Sequence, residues 1–317
     1  MNQNQPISNQ SISRREFCQK AALATATIPA LLNQSKAKDN SEFKLNYILG
    51  SSMYGEIALS EILPEVKKTG AEYIDIWPKK HGNQREQIKE MGEDAYEKLV
   101  EKYNVKTGML THYDLGANRL KDDLPFAKRF NVKMMIAGSS SRKNRKGKEL
   151  KAAIKGFIEK LKPQVDLFAE QGIAIGIENH SHALVDSPDS IRWFAEMSHS
   201  PYLGIALAPY HLPDDSEVVA KLIKDIDENL IHFYGWQHGM GCMKKLPKEQ
   251  ELMQMPGRGK MDFVPILKSL KEIKYNGWTE IFMHPVPRGI PILETASQVT
   301  DEINLSRKYL ADCLTKI

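Results

Sequence analysis

From Leu45 to the C-terminus, short apolar runs alternate with longer stretches whose apolar residues recur at helical spacing. The runs are 45–50, 72–77, 105–111, 132–137, 173–177, 203–207, 230–236 and 279–283. Most are almost continuously apolar, which predicts strands buried on both faces of a parallel sheet. The stretches 57–69, 84–103, 120–130, 148–171, 190–198, 216–229, 263–273 and 296–314 predict the intervening helices. Eight strand–helix pairs over about 275 residues predict an α/β protein, a single-domain (β/α)8 TIM barrel. A doubly wound open sheet fits less well, because no Gly-rich phosphate fingerprint follows the first strand. Gly257-Arg258-Gly259-Lys260 has the wrong spacing for a P-loop and follows no strand.

Polar residues gather where these strands end, and the stretch from Ile173 to Ser190 shows it best. Its apolar run stops at Glu178-Asn179-His180-Ser181-His182, and Ser187-Pro188-Asp189 then opens a helix. A carboxylate and imidazoles at the tip of a buried strand are costly without partners. Other strands end alike: Trp77 and His81 after the second, His112 after the third, Tyr210 and His211 after the sixth. His232, Tyr234, Trp236 and His238 lie in or just past the seventh, and His284 follows the eighth. Of nine histidines only His199 lies clearly off this end. One such histidine would be ordinary packing; the set predicts a functional face with a divalent-metal site.

Composition and charge alter this picture little. The chain has 317 residues and a formal net charge of +4, with no basic stripe interleaved with aromatics, so nucleic acid is not an expected partner. The N-terminus reads as an address. Ser13-Arg14-Arg15-Glu16-Phe17 is a twin-arginine pattern, a weakly apolar stretch follows, and Ser35-Lys36-Ala37 offers a small-x-small cleavage site. Residues 1–37 are therefore expected to be a Tat-type export signal, leaving 38–317 as a periplasmic barrel with no membrane attachment. That segment carries three of the four net positive charges, so the remainder is nearly neutral. Cys18, Cys242 and Cys313 form neither a disulfide framework nor a metal spacing.

Ile177-Glu178-Asn179-His180, the strand Leu203-Gly204-Ile205-Ala206-Leu207 with His211 after it, Pro256-Gly257-Arg258-Gly259 with Asp262-Phe263, and Tyr275-Asn276-Gly277-Trp278 carry a resemblance. From about Leu45 onward the chain resembles the sugar phosphate isomerase/epimerase proteins of the xylose-isomerase-like TIM barrel superfamily. The resemblance implies a metal held by a Glu, an Asp, a His and a second Glu on the fifth to eighth strands. Glu178 matches the first. Ala208 stands at the Asp position, His284 at the second Glu position, and the His position falls at His232 or Tyr234. The expected shell is thus imidazole-rich, drawn from Glu178, His211, His238 and His284, and suits Mn, Zn, Co or Fe.

The expected substrate is a small carbohydrate, with Trp77, His81, His112, Tyr210, Trp236 and Arg258 as contacts. Arg288 is a second loop cation able to meet an anion. The expected chemistry is proton abstraction next to a carbonyl, with Glu178, His180 or His182 as acid or base, giving epimerisation or isomerisation. Elimination from an oxidised sugar or glycoside is the alternative, and a non-catalytic sugar-binding barrel a further one. The sequence leaves open the sugar, the metal and the oligomeric state.

Overall fold

The computed structural model describes residues 43–112 and 116–317. The expected export signal lies outside the described residues. Eight parallel strands close into a barrel in chain order. They are β1 (Asn46–Gly50), β2 (Tyr73–Ile76), β3 (Lys106–Thr111), β4 (Met134–Gly138), β5 (Ala174–Glu178), β6 (Leu203–Leu207), β7 (Leu230–Gly235) and β8 (Trp278–Ile281), with β8 pairing back onto β1.

Around them run α1 (Leu59–Val66), α2 (Gln84–Met91), α3 (Glu93–Tyr103), α4 (Leu124–Arg129), α5 (Gly147–Ala169), α6 (Pro188–Met197), α7 (Ser216–Ile226), α8 (Lys248–Glu251), α9 (Val264–Glu272) and α10 (Ala296–Leu314). The single helix expected over 84–103 is two, because Gly92 between α2 and α3 takes φ 83°, a left-handed geometry that ends one helix and starts the next. α6 starts where the sequence put it: Ser187 caps the Ser190 amide, with Pro188 in the first turn.

Side chains alternate along each strand, so residues two apart share the inward face. On β5 that face carries Gly176 and Glu178, on β7 His232 and Tyr234, and on β8 Glu280, with Phe282 and His284 continuing the alternation past its end. Gly50 on β1 makes room for this filling: a Cβ there would lie 2.1 Å from Glu280 Oε1. The barrel interior is therefore polar at one level, and the apolar core lies mainly between strands and helices. No helix among the described residues is long and apolar enough to cross a membrane.

Candidate active site

Glu178 ends β5 and is 2% exposed. Asn179 then staples β5 to the end of β6: its Nδ2 donates to the Ala208 carbonyl at 3.0 Å and its Oδ1 accepts from the Ala208 amide at 2.7 Å. The short 3-10 turn Pro209–His211 follows directly and swings His211 back toward Glu178, bringing Nε2 to 3.8 Å from Oε1. On the other side of its ring, His211 Nδ1 lies 3.1 Å from Ser181 Oγ. The exposed His180 ring lies 4.1 Å from that of His211, tilted by 42°. His182, with φ 66°, turns the loop out to solvent.

Electrostatics divide this pair. Burial raises the Glu178 carboxyl well above its ordinary range; the Tyr234 hydroxyl partly offsets this, and Asp75 adds to it. Burial, then the charges of His180 and His238, lowers His211 to about 2. The two surroundings thus act in opposite directions, favouring the protonated form of the carboxyl and the neutral form of the imidazole. Two further buried carboxyls, Asp75 and Glu280, lie behind it, both raised chiefly by burial. Thr111 donates to Asp75 at 2.6 Å, and His232 Nε2 lies 3.3 Å from Glu280 Oε2. The Tyr234 hydroxyl acts on Glu178 and the Trp77 indole on Glu280, each partly offsetting the effect of burial.

The remaining wall is aromatic. Trp77 and Phe282 stack at 5.2 Å, and Tyr210 lies on Trp236 at 4.1 Å with 9° between planes. Trp77 and Trp236 are each 1% exposed, so they build the wall rather than present a free face to a sugar. His238 covers the other side of Tyr210 at 5.0 Å. His284 meets His81 at 4.5 Å. Its backbone is clamped by Gln254, which accepts from the His284 amide and from the Trp236 indole and donates to the His284 carbonyl.

This arrangement does not fit a resident divalent metal. Trp236 meets both His211, at 5.1 Å, and His284, at 5.2 Å, with its ring perpendicular to each. The inward positions beyond Glu178 on the next three strands are Ala208, Tyr234 and Phe282, a methyl, a phenol and a phenyl ring. Among the described residues no three His, Cys, Asp or Glu side chains gather as a ligand set. Of the expected ligands only Glu178 and His211 come together, and two donors fall short of the three or four that a catalytic metal needs.

Two expected substrate contacts lie elsewhere. Arg258 is held by Glu302 of α10 through Nε at 2.7 Å and Nη2 at 2.6 Å. His112 pairs with Asp123 at 3.1 Å, which also receives Arg85, beside a separate cavity of about 470 Å³. Glu280 went unnoticed in the sequence. Its only signal is a carboxylate inside a four-residue strand, Trp-Thr-Glu-Ile, with Gly50 left bare opposite it.

No curated protein matches the chain by sequence. Among solved structures it is similar to the IolI protein with a bound zinc atom, at 18% identity and TM-score 0.63 over 86% of this chain and 99% of that one. It is also similar to 3-keto-D-glucoside 4-epimerase, YcjR, from E. coli, at 14% identity and TM-score 0.58 over 84% and 100%. A third is the probable 3-DHS dehydratase AsbF from Bacillus anthracis, at 12% identity and TM-score 0.61 over 82% and 98%. At these identities the likeness is one of fold. The xylose isomerase-like TIM barrel family matches residues 63–309, most of the described barrel, and the chain belongs to that family.

Proposed function

We propose that this protein is a carbohydrate isomerase or epimerase that moves a proton at the carbon next to a carbonyl. The observation that carries the reading is the Glu178–His211 pair, two titratable groups 3.8 Å apart whose surroundings push their proton affinities in opposite directions. Such divergence assigns the roles: the neutral His211 imidazole takes the proton, and the protonated Glu178 carboxyl supplies one to the enolate oxygen or carbon. Ser181 orients the His211 ring through Nδ1, and His180 packs against it at a tilt. The burial that lowers His211 also makes it a weak base in the free protein, so a bound substrate must expel water and draw its proton directly onto the imidazole. The epimerase among the similar structures supports this class of reaction, and the dehydratase supports elimination as its variant, in which the same base removes the proton and a β-substituent leaves. The metal expected from the sequence has no part in the reading, because no ligand set converges among the described residues at the mouth.

The test is incubation of ketoses and keto-glycosides with the purified protein in deuterated water. Deuterium next to the carbonyl supports enolisation, and an unsaturated product selects elimination. His211→Asn and Glu178→Gln should each slow exchange by roughly 10²–10⁴-fold, the range for loss of one acid–base group. Sugars that bind without exchange would leave a binding barrel instead.

A further inference from the structure

Arg288 follows β8 in a loop at the same end of the barrel, half-buried, and it differs from the other arginines near the strand ends. Arg85, Arg142 and Arg258 each meet a carboxylate. Arg288 meets none among the described residues. Its Nη1 donates to the Pro285 carbonyl at 2.6 Å, and its Nη2 to the Cys242 thiol at 3.1 Å. Both bonds tie it to the scaffold and use one N–H of each terminal nitrogen. The loop carrying Cys242 is itself pinned, because the Cys242 amide donates to the Tyr210 hydroxyl at 2.9 Å. The guanidinium is thus held in place with no carboxylate among the described residues against it and with part of its fork unused.

Its neighbours register that charge. It lowers His81 and His284, in each case after burial as the larger cause, with His81 reaching about 4. These two imidazoles stand edge to face at 4.5 Å, and His284 adjoins the Trp236 wall of the Glu178–His211 site. A fixed guanidinium acting on two neutral imidazoles, with no anion among the described residues to satisfy it, matches a planar anion presented by a ligand.

We propose that Arg288, with His81 and His284, forms a subsite for the carboxylate of an acidic sugar, so that the substrate class is a uronic or keto-aldonic acid rather than a neutral hexose. The assignment rests on the carbohydrate reading above and narrows it. Bidentate pairing with the free fork of Arg288 would fix one end of the sugar while its chain of hydroxylated carbons lies toward Glu178 and His211.

Isothermal titration with D-glucuronate, D-glucose and D-glucose 6-phosphate tests it without requiring turnover. The wild-type protein should bind glucuronate at least tenfold more tightly than glucose. Arg288→Met should bring glucuronate down to the level of glucose, and Arg288→Lys should recover part of the difference; melting curves show that each variant is folded. Equal or unmeasurable affinity of the wild-type protein for the two sugars overturns the proposal, as does a preference that survives in Arg288→Met. Tighter binding of the phosphate than of the uronate replaces carboxylate recognition by phosphate recognition and overturns it as stated. A uronate preference without any proton exchange would remove the proposed reaction and leave this subsite standing.

Discussion

Gly50 and Glu280 share one volume inside the barrel, and the carboxyl occupies what a side chain on Gly50 would need. Gly50→Ala should therefore cost about 1–3 kcal/mol, the usual range for overpacking, read from urea unfolding. Glu280 also belongs to a set of buried carboxyls with a signed pH signature. The raised values of Asp75, Glu178 and Glu280 mean that the folded protein keeps protons the unfolded chain loses above about pH 4.5, so these groups lower stability as pH rises toward their folded values. The lowered imidazoles of His211, His232 and His284 act the other way: stability rises with pH as the unfolded chain loses its protons, and this ends near pH 6.5. Above about pH 7 the carboxyls act alone among these groups, and each one still protonated makes stability fall by about 1.4 kcal/mol per pH unit. Glu280→Gln removes one of these carboxyls, so its stability should fall less with rising pH above about pH 4.5 than that of the wild-type protein; parallel pH profiles in urea unfolding from pH 5 to 9 would refute this. At this scale the sequence displayed Glu178 at a strand tip and the histidines around it. It hid Glu280, because a carboxylate inside a short strand looks like a solvent-facing residue until the strand is closed into a barrel.

At the scale of elements, clamps rather than ligands organise the mouth. Asn179 ties β5 to β6, Gln254 ties the β7 loop to the end of β8, and Arg258 ties that same loop to α10. Arg258→Met would leave the buried Glu302 unpaired. The loss should be about 1–2 kcal/mol, discounted because Arg258 itself is half in water. Its affinity for sugars should stay unchanged, the reverse of the result expected for Arg288. A large drop in sugar binding at unchanged melting temperature would instead restore Arg258 to the substrate site. Strand and helix positions were legible to within a few residues, since buried parallel strands and amphipathic helices leave different periodicities. Which of two loop arginines is engaged was not, because Glu302, the partner that decides it, lies 44 positions away in the chain.

For the molecule as a whole, the donor set at the mouth predicts chemistry that does not depend on a resident metal. Dialysis against a chelator should leave both melting temperature and proton exchange unchanged; a chelator-sensitive rate restored by zinc or manganese would show that the donors rearrange around an ion. We also propose export: mass spectrometry of native material should find a start near Lys38, and intact Met1 in cytosolic protein would argue against it. The sequence by itself determined the barrel, because eight apolar runs separated by amphipathic helices have few other ways to bury themselves. It also determined that polar chemistry collects at the strand ends, since most of the runs are followed within a few residues by a side chain that is costly to bury alone. Only the tertiary structure decided which of these side chains stand together. Whether imidazoles converge on a metal or pair with a carboxyl depends on ring positions set by a turn after β6, by the Trp236 wall and by the Gln254 clamp. These are contacts between residues far apart in the chain, and no local periodicity records them.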